Sequence, residues 1–521
     1  MGLHARVVEW QTRWTQNPLI ARSWGFESPP GHHRRHAAVG GAPPSVSGNT
    51  AVAPESFLAP TDEHGTAMMG RYLRTLMLVA TLALAGCSWP QFGHDAAHSG
   101  ANPSESTLTV GNVGALTQVW GATNGPITST PVEADGLVYV GAANSIFAYD
   151  ATGTVGCSGT PKVCIPKWRS GNLGGAIVGS PAVVNGVVYA TGVGEKLFAF
   201  DAKGGTCNTR VPPGCSPIWT APLGGEAFSA PTVANGFVYV VSIKAFSQQL
   251  AVFDAGGTNG CAGTPKVCTA LWTASAEING ATNAARSAPA VADGRVYMTV
   301  SRSVVDGDNI SVAAYDAVGQ VGCSGVPTVC APLWQSSALG DAVSSPSIDH
   351  GVLYAFDGEV LAALDATGTT NCGGTPKICT PLWTSVSRPA VPLDAAGVAV
   401  TGGVVYAGTG GNAPGAPVGL AAFDATGVAG CTGTPNVCSP LWASLRGSET
   451  APAVANGVIY ATDSTGIAAI DAHGVVNCSG VPKVCLPLWS AAGPFAASSP
   501  SVVNGRVYVG GTDGLHVFAQ P

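Results

Sequence analysis

The chain has 521 residues, of which 70 are Gly and 38 are Pro, and only 10% are charged. This composition favours a turn-rich all-β protein over a helical one. The formal net charge is −7, and this argues against a nucleic-acid partner, whose binding requires basic patches.

Residues 1–67 show no sustained periodicity and contain five of the ten His residues. The run Trp24–Pro30 resembles the product of translating the T-arm of a tRNA gene. We therefore interpret residues 1–67 as a spurious or disordered N-terminal extension and place the true start at Met68 or Met69. N-terminal sequencing of the native precursor tests this interpretation.

Residues 68–86 have the features of a bacterial export signal. Arg71 and Arg74 form a positive region, and the apolar run Leu76–Ala85 follows it. This run is too short to span a bilayer stably.

The signal ends in Leu-Ala-Gly-Cys at Cys87, which resembles a lipobox, the motif in which the cysteine is acylated and becomes the first mature residue. An ordinary signal peptide with a coincidental cysteine is the alternative. The lipobox predicts an exported protein that is lipid-anchored to the cell membrane or outer membrane and faces an oxidising compartment. Residues 87–112 then form a tether and lead-in.

The other fourteen cysteines form seven close pairs, which indicates an oxidising compartment. The pairs are Cys157/Cys164, Cys207/Cys215, Cys261/Cys268, Cys323/Cys330, Cys372/Cys379, Cys431/Cys438 and Cys478/Cys485. A metal site would need four ligands, and no His accompanies the pairs. Redox catalysis favours closer spacing. We therefore expect structural disulfides and no metal, with each disulfide stabilising the fold by about 2.5 kcal/mol in the chain-entropy model.

Eight repeat units follow the lead-in, and each contains a Trp, a small-residue or Pro entry, a tight turn ending in Gly and a strand with a Tyr. The Tyr residues are Tyr139, Tyr189, Tyr239, Tyr297, Tyr354, Tyr406, Tyr460 and Tyr508. Their spacing of about 50 residues is typical of one four-stranded propeller blade. Asn185-Gly186 illustrates the tight turn, since this dipeptide favours a type I′ hairpin.

The two ends of the array indicate a closed ring. The chain stops after Phe518, in the third strand of unit eight, whereas Trp120 lies on a strand that no unit precedes. We predict an all-β fold over residues 113–521, an eight-bladed β-propeller of four-stranded antiparallel blades in which the N-terminal strand completes the last blade. An open solenoid is the alternative.

Units of the form Leu-x-Ala-Phe-Asp-Ala-x-x-Gly followed by Trp, as in Leu197–Gly204 with Trp219, resemble the pyrroloquinoline-quinone-type (PQQ-like) propeller repeat. The lead-in Trp89–Gly100 is similar to segments that precede such propellers. The resemblance implies that the Trp residues dock between blades, at Trp168, Trp219, Trp272, Trp334, Trp383, Trp442 and Trp489. Family members include quinone-dependent alcohol and sugar dehydrogenases and non-catalytic lipoproteins such as the propeller subunit of the outer-membrane β-barrel assembly machine.

In the dehydrogenases of this family, the quinone and its Ca²⁺ lie over the channel, near the loops that enter the inner strands. The resemblance makes the charged residues of these loops the candidate channel-mouth binding residues, namely Glu226, Arg286, Asp341, Arg388, Arg446 and Glu449. The chain has neither the vicinal cysteines nor the haem motif of many such enzymes.

We therefore expect no catalytic residue and a cell-envelope lipoprotein that acts as a scaffold for an envelope protein or a cell-wall polymer. The alternative is a PQQ-dependent alcohol or sugar dehydrogenase that uses Ca²⁺. Two weaker metal signals receive structural interpretations. Asp306–Asn309 resembles part of a calcium loop but lacks its later Glu, and it predicts a polar turn. His94 and His98 would share a face only in a helix, and the neighbouring glycines favour a loop.

Overall fold

The computed structural model describes residues 88–521, except for residue 178 and the segments 245–246, 278–286, 305–306, 341–343, 358–359, 387–396, 410–418, 448–449 and 496–497. The predictions for residues 1–67, for the signal 68–86 and for Cys87 lie outside the described residues. Within the described part, the one helical segment is the 3₁₀ turn Val113–Ala115. No helix in this part of the chain is long and apolar enough to cross a membrane.

The strands form eight sheets, which confirms the predicted eight-bladed propeller. We number the blades by their innermost strands in chain order, and we call the four successive strands of each blade A to D, from the axis outwards. Blade 1 consists of Val132–Ala134, Leu137–Ala142, Ser145–Asp150 and Trp168–Ser170. Blade 2 consists of Ala182–Val184, Val187–Gly192, Lys196–Asp201 and Trp219–Pro222. Blade 3 consists of Thr232–Ala234, Phe237–Lys244, Ser247–Asp254 and Trp272–Glu277. Blade 4 consists of Ala290–Ala292, Arg295–Val304, Gly307–Asp316 and Trp334–Ser336.

The remaining four blades repeat this order. Blade 5 consists of Ser347–Asp349, Val352–Phe356, Leu361–Asp365 and Trp383–Ser385. Blade 6 consists of Val398–Thr401, Val404–Thr409, Gly419–Asp424 and Trp442–Ser444. Blade 7 consists of Ala453–Ala455, Val458–Asp463, Gly466–Asp471 and Trp489–Ala492. Blade 8 combines Ser501–Val503, Arg506–Gly511 and Gly514–Ala519 with Thr117–Ala122, which pairs antiparallel with Gly514–Ala519.

The expectation of four strands per blade is too low, since most sheets have six strands. The two extra strands are the arms of the cysteine hairpin from the next repeat unit. In the hairpin after Asp254, for example, Cys261–Ala262 pairs with Val267–Cys268, and Val267 lies beside Thr220 of blade 2. Sequence periodicity within a unit does not reveal this pairing, because it joins two units.

The hairpin strands are short. Their bounds are Cys157–Ser158 with Lys162–Cys164, Gly214–Cys215, Cys261–Ala262 with Val267–Cys268, Cys323–Ser324 with Val329–Cys330, Cys372–Gly373 with Ile378–Cys379, Cys431–Thr432 with Asn436–Cys438, and Cys478–Ser479 with Val484–Cys485. All seven predicted disulfides are present and close these hairpins.

Adjacent blades are joined at the Asp-Ala turn that follows strand C. The Tyr297 hydroxyl and the Trp334 indole N–H of blade 4 both donate to the carbonyl of Ala366 in the next unit, at 3.0 and 3.2 Å. A Cβ at Gly368 would lie 2.2 Å from Trp334 Cδ1, so this turn requires glycine to let the indole approach. The Trp residues thus pack between blades, as the resemblance implies.

The Asp of the same turn organises the backbone that leads into the hairpin. The Asp365 carboxylate accepts hydrogen bonds from the backbone N–H groups of Thr367, Thr369 and Thr370. Burial raises the pKa of Asp365, but these bonds and those from the threonine hydroxyls outweigh it and hold the pKa well below its usual value. The carboxylate is therefore ionised at neutral pH and anchors the turn.

Candidate functional site

The axis of the propeller is occupied by the chain's own lead-in, Trp89–Asn102, which we call the plug. In seven of the eight blades, one residue of strand A donates its backbone N–H to the plug. These donors are Glu133, Val183, Val233, Val291, Ile348, Val400 and Val454. In blade 8 the contact is reversed, and the Asn102 amide donates to the carbonyl of Val502 at 2.9 Å.

The plug therefore gives the innermost sheet edges the partners that an open channel would leave to water. Its last residues, Ala101–Asn102, also form a short strand that pairs parallel with strand A of blade 7. The sequence interpretation of residues 87–112 as tether and lead-in did not anticipate that this segment fills the ring.

His98 lies in the middle of the plug and is 2% exposed. Its two ring nitrogens lie 3.2 Å from Pro346 O and 3.2 Å from Thr232 Oγ1, so the ring bridges blades 3 and 5. Burial lowers the pKa of His98 to about 4, and the imidazole is neutral at neutral pH.

His94 and His98 both have positive φ, 75° and 58°. The segment is a loop, as expected, and the two rings do not share a helical face. Among the described residues, no group of three or more His, Cys, Asp or Glu side chains is placed to hold a metal ion.

One position on the inner ring differs in chemistry from its seven equivalents. Where the other blades have Val or Ile, blade 1 has Glu133, which is 2% exposed and forms an antiparallel bridge with Trp89. Its Oε1 accepts the N–H of Gly136, whereas its Oε2 and the nearby Arg506 Nε are buried without a partner. Burial raises the pKa of Glu133 to about 7. Aligning the eight repeats by eye would have revealed this substitution.

Of the six candidate channel-mouth residues, the structure describes two. Glu226 lies in the connection between blades 2 and 3, is exposed, and pairs through its backbone with Ile243. Arg446 lies in the connection between blades 6 and 7, and its Nε and Nη2 donate to the Asp463 carboxylate at 2.8 and 3.0 Å. Arg286, Asp341, Arg388 and Glu449 lie outside the described residues.

The two described candidates do not by themselves form a site for a quinone cofactor with its calcium ion. The Arg446 guanidinium is already paired with Asp463, and among the described residues Glu226 belongs to no group of three or more His, Cys, Asp or Glu side chains that could hold Ca²⁺. The plug occupies the axis at the level of the inner strands. Asp306 of the partial calcium loop lies outside the described residues, and Gly307–Asp316 is simply strand C of blade 4.

The chain matches the model of the family described as outer membrane protein assembly factor BamB, over residues 166–321 and 302–519. It is similar in structure to BamB from Moraxella catarrhalis, with a TM-score of 0.51 and 14% identity, over 78% of this chain and 100% of that one. It is also similar to the quinohemoprotein alcohol dehydrogenase ADHIIG from Pseudomonas putida HK5, with a TM-score of 0.55 and 14% identity, over 84% of this chain and 80% of that one. No curated protein matches the sequence significantly. At these identities the structural likeness shows the fold alone.

Proposed function

Because the chain belongs to the family of the outer membrane protein assembly factor BamB, we propose that it is a non-catalytic cell-envelope lipoprotein. Its propeller serves as a scaffold for an envelope protein or a cell-wall polymer, and the acylated Cys87 holds it at the membrane. The seven disulfides and the family membership are consistent with an extracytoplasmic location.

The observation that carries the scaffold role is the plug. Its hydrogen bonds to all eight inner strands tie the blades together and fill the axis, over which the dehydrogenases of the PQQ-like propellers hold their cofactor. A ring with a filled axis presents loops and rims, and such surfaces suit protein or polymer partners better than small substrates.

Site-directed photo-crosslinking in the native envelope tests the scaffold role. The connections from strand D of one blade to strand A of the next, which we call the D–A connections, lie on one face of the ring. We expect a photoreactive residue at Glu226, on this face, to yield one discrete adduct with a protein or polymer. The control is the same residue at Asn235, in the exposed A–B turn on the opposite face. Adducts at neither position in intact cells would contradict the proposal.

The dehydrogenase alternative has its own test. The purified protein is incubated with pyrroloquinoline quinone and Ca²⁺, and its absorption spectrum and dye-linked oxidation of alcohols and sugars are measured. We expect neither a stoichiometric cofactor spectrum nor substrate oxidation. Observation of both would replace the scaffold proposal with an enzymatic one.

A further inference from the structure

The exposed apolar side chains of this protein are concentrated in one kind of connection. Among the described residues, every exposed large aliphatic side chain except Leu445 lies between a strand C and the following strand D, in or beside a cysteine hairpin. Val326 and Val481, each preceding the Pro at a hairpin tip, are fully exposed, and Val211 is 84% exposed. Clustered exposed apolar groups mark interaction surfaces.

The same seven connections are also distinct in charge. Between the Asp that ends strand C and the Trp that begins strand D, they contain seven basic residues and no Asp or Glu. The basic residues are Lys162, Lys167, Lys203, Arg210, Lys266, Lys377 and Lys483. All seven are exposed, although the chain as a whole is acidic. We call these seven connections the belt.

The topology makes the belt continuous around most of the ring. Each hairpin is attached to strand D of the preceding blade, so hairpins line every blade except blade 7. At blade 7 the segment around Val113–Ala115 takes that place, and Leu116 O accepts the Trp489 indole N–H at 2.9 Å. Because strands alternate in direction, the belt lies on the same face as the A–B turns.

The N-terminal end of the described chain also points to this face. Trp89 pairs antiparallel with Glu133, with N–H and carbonyl bonds of 2.9 Å in both directions. Strand A of blade 1 runs towards its A–B turn. Because Trp89 is antiparallel to this strand, the chain that precedes Trp89 comes from the side of the A–B turn. The described chain therefore enters the ring from the belt face.

A groove within the belt offers a place for a lipid headgroup. It encloses about 450 Å³ between blade 1 and the following unit, and its lining includes Lys167, Lys203, Trp168 and Asp135. The two exposed lysines can approach a phosphate, and the aliphatic hairpin tips can enter the acyl boundary.

We propose that the belt docks on the headgroup region of an anionic membrane, so that the face with the A–B turns and hairpins lies against the lipid. The D–A face, which carries Glu226, then points away from the membrane towards a partner. This inference rests on the proposed lipid anchor for its biological setting, but its chemistry lies in residues of the belt alone.

The test uses residues 88–521, which contain every described strand and all seven disulfides but no acylation site. Sedimentation with phosphatidylcholine vesicles is compared with sedimentation with vesicles that contain phosphatidylglycerol. We expect binding to the anionic vesicles that 0.5 M salt releases, because salt screens exposed charges. Mass spectrometry of the native N-terminal peptide reports acylation of Cys87 separately, so failure of the anchor and failure of the belt are distinguishable.

Matched variants locate the binding surface. Lys167→Gln with Lys203→Gln should weaken binding at least about tenfold, since each basic side chain near an anionic surface contributes about fivefold. Lys196→Gln with Lys244→Gln removes the same charge at the B–C ends of two strands on the opposite face and should leave binding unchanged.

The aliphatic contribution has a matched control as well. Val326→Ser with Val481→Ser should weaken binding by about fivefold or more, because less apolar surface leaves water. Leu445→Ser, at the one exposed large aliphatic residue that the structure describes outside the belt, should have no effect.

Three results would overturn the proposal: equal losses from both lysine pairs, no binding to anionic vesicles by correctly folded protein, or binding to a soluble polyanion that equals vesicle binding and ignores the valines. The last result would assign the belt to an anionic polymer.

Discussion

The buried carboxyl group of Glu133 should make the stability of the folded protein depend on pH. Its pKa is about 7 in the folded protein, because burial raises it, and about 4.3 in an unfolded chain. Between these values the folded state binds more protons, so the free energy of unfolding should fall as pH rises from about 4 to about 7 and then level off.

Glu133→Gln keeps an acceptor for the Gly136 N–H and removes the buried charge. At pH 8 we expect the free energy of unfolding of the variant, measured by urea denaturation, to exceed that of the wild type by up to about 3 kcal/mol. At pH 4 the two proteins should be equally stable. Glu195→Gln, at an exposed position, is the control and should not alter the profile. An unchanged profile in Glu133→Gln would show that the carboxylate finds a partner when it is charged.

The glycine of the Asp-Ala turn allows a second prediction at the residue scale. Gly368 and Gly351 have φ of 70° and 76°, but only Gly368 has a neighbour within reach of a Cβ, at 2.2 Å in Trp334. Gly351→Ala should cost about 1 kcal/mol for its backbone conformation. Gly368→Ala should cost several times more, because the indole must leave the interblade contact.

Chemical denaturation of both variants measures this difference, and the Trp fluorescence of Gly368→Ala should change in the native state. Equal stability of the two variants would indicate that the indole shifts without loss.

The repeat pattern of the sequence anticipated the position of this glycine and of the Trp, because both recur at fixed spacing. It did not anticipate the role of Glu133, since periodicity describes what the units share. A single departure from the pattern acquires meaning only when the neighbouring blade and the plug surround it.

At the scale of elements, the cysteine hairpin has two functions. It is closed by its own disulfide, and it extends the sheet of the preceding blade. In the hairpin of Cys372 and Cys379, the carbonyls of Lys377 and Cys379 accept the N–H groups of Gln335 in blade 4 and of Ser337 just after it, at 3.0 and 2.8 Å.

Cys372→Ala with Cys379→Ala should destabilise the protein by about 2.5 kcal/mol, since the loop regains its conformational freedom in the unfolded state. It should also increase hydrogen exchange at the Gln335 and Ser337 amides, which depend on the hairpin. The Leu333 amide donates to Ala314 within its own blade and should keep its protection. Unchanged exchange at Gln335 would mean that the hairpin holds the blade edge without its disulfide.

The sequence predicted these disulfides because each pair is close along the chain. The attachment of each hairpin to the neighbouring blade was missed for the opposite reason. The partner strand lies one unit away, and a parallel pairing of one to three residues leaves no periodic trace.

At the scale of the whole molecule, the eight-fold repeat predicted the ring, but not what lies at its centre. The plug has no repeat of its own, and its contacts reach residues from Glu133 to Val502. Contacts at such separations follow from the closed ring and not from any local pattern. The same ring places the belt and the D–A connections on opposite faces, so the proposed membrane contact and the proposed partner contact would not compete for one surface.

The plug should therefore control the stability of the inner strands blade by blade. Gly100 has φ of 66°, and a Cβ there would lie 2.7 Å from Ala399 Cβ, while its carbonyl accepts the Val454 N–H at 2.8 Å. Gly100→Ala should displace this end of the plug and reduce hydrogen-exchange protection at Val400 and Val454 by at least about tenfold. Val183, which contacts Pro90 at the other end, should be affected less. A uniform loss of protection over all three amides would instead show that the plug and the ring unfold as one cooperative unit.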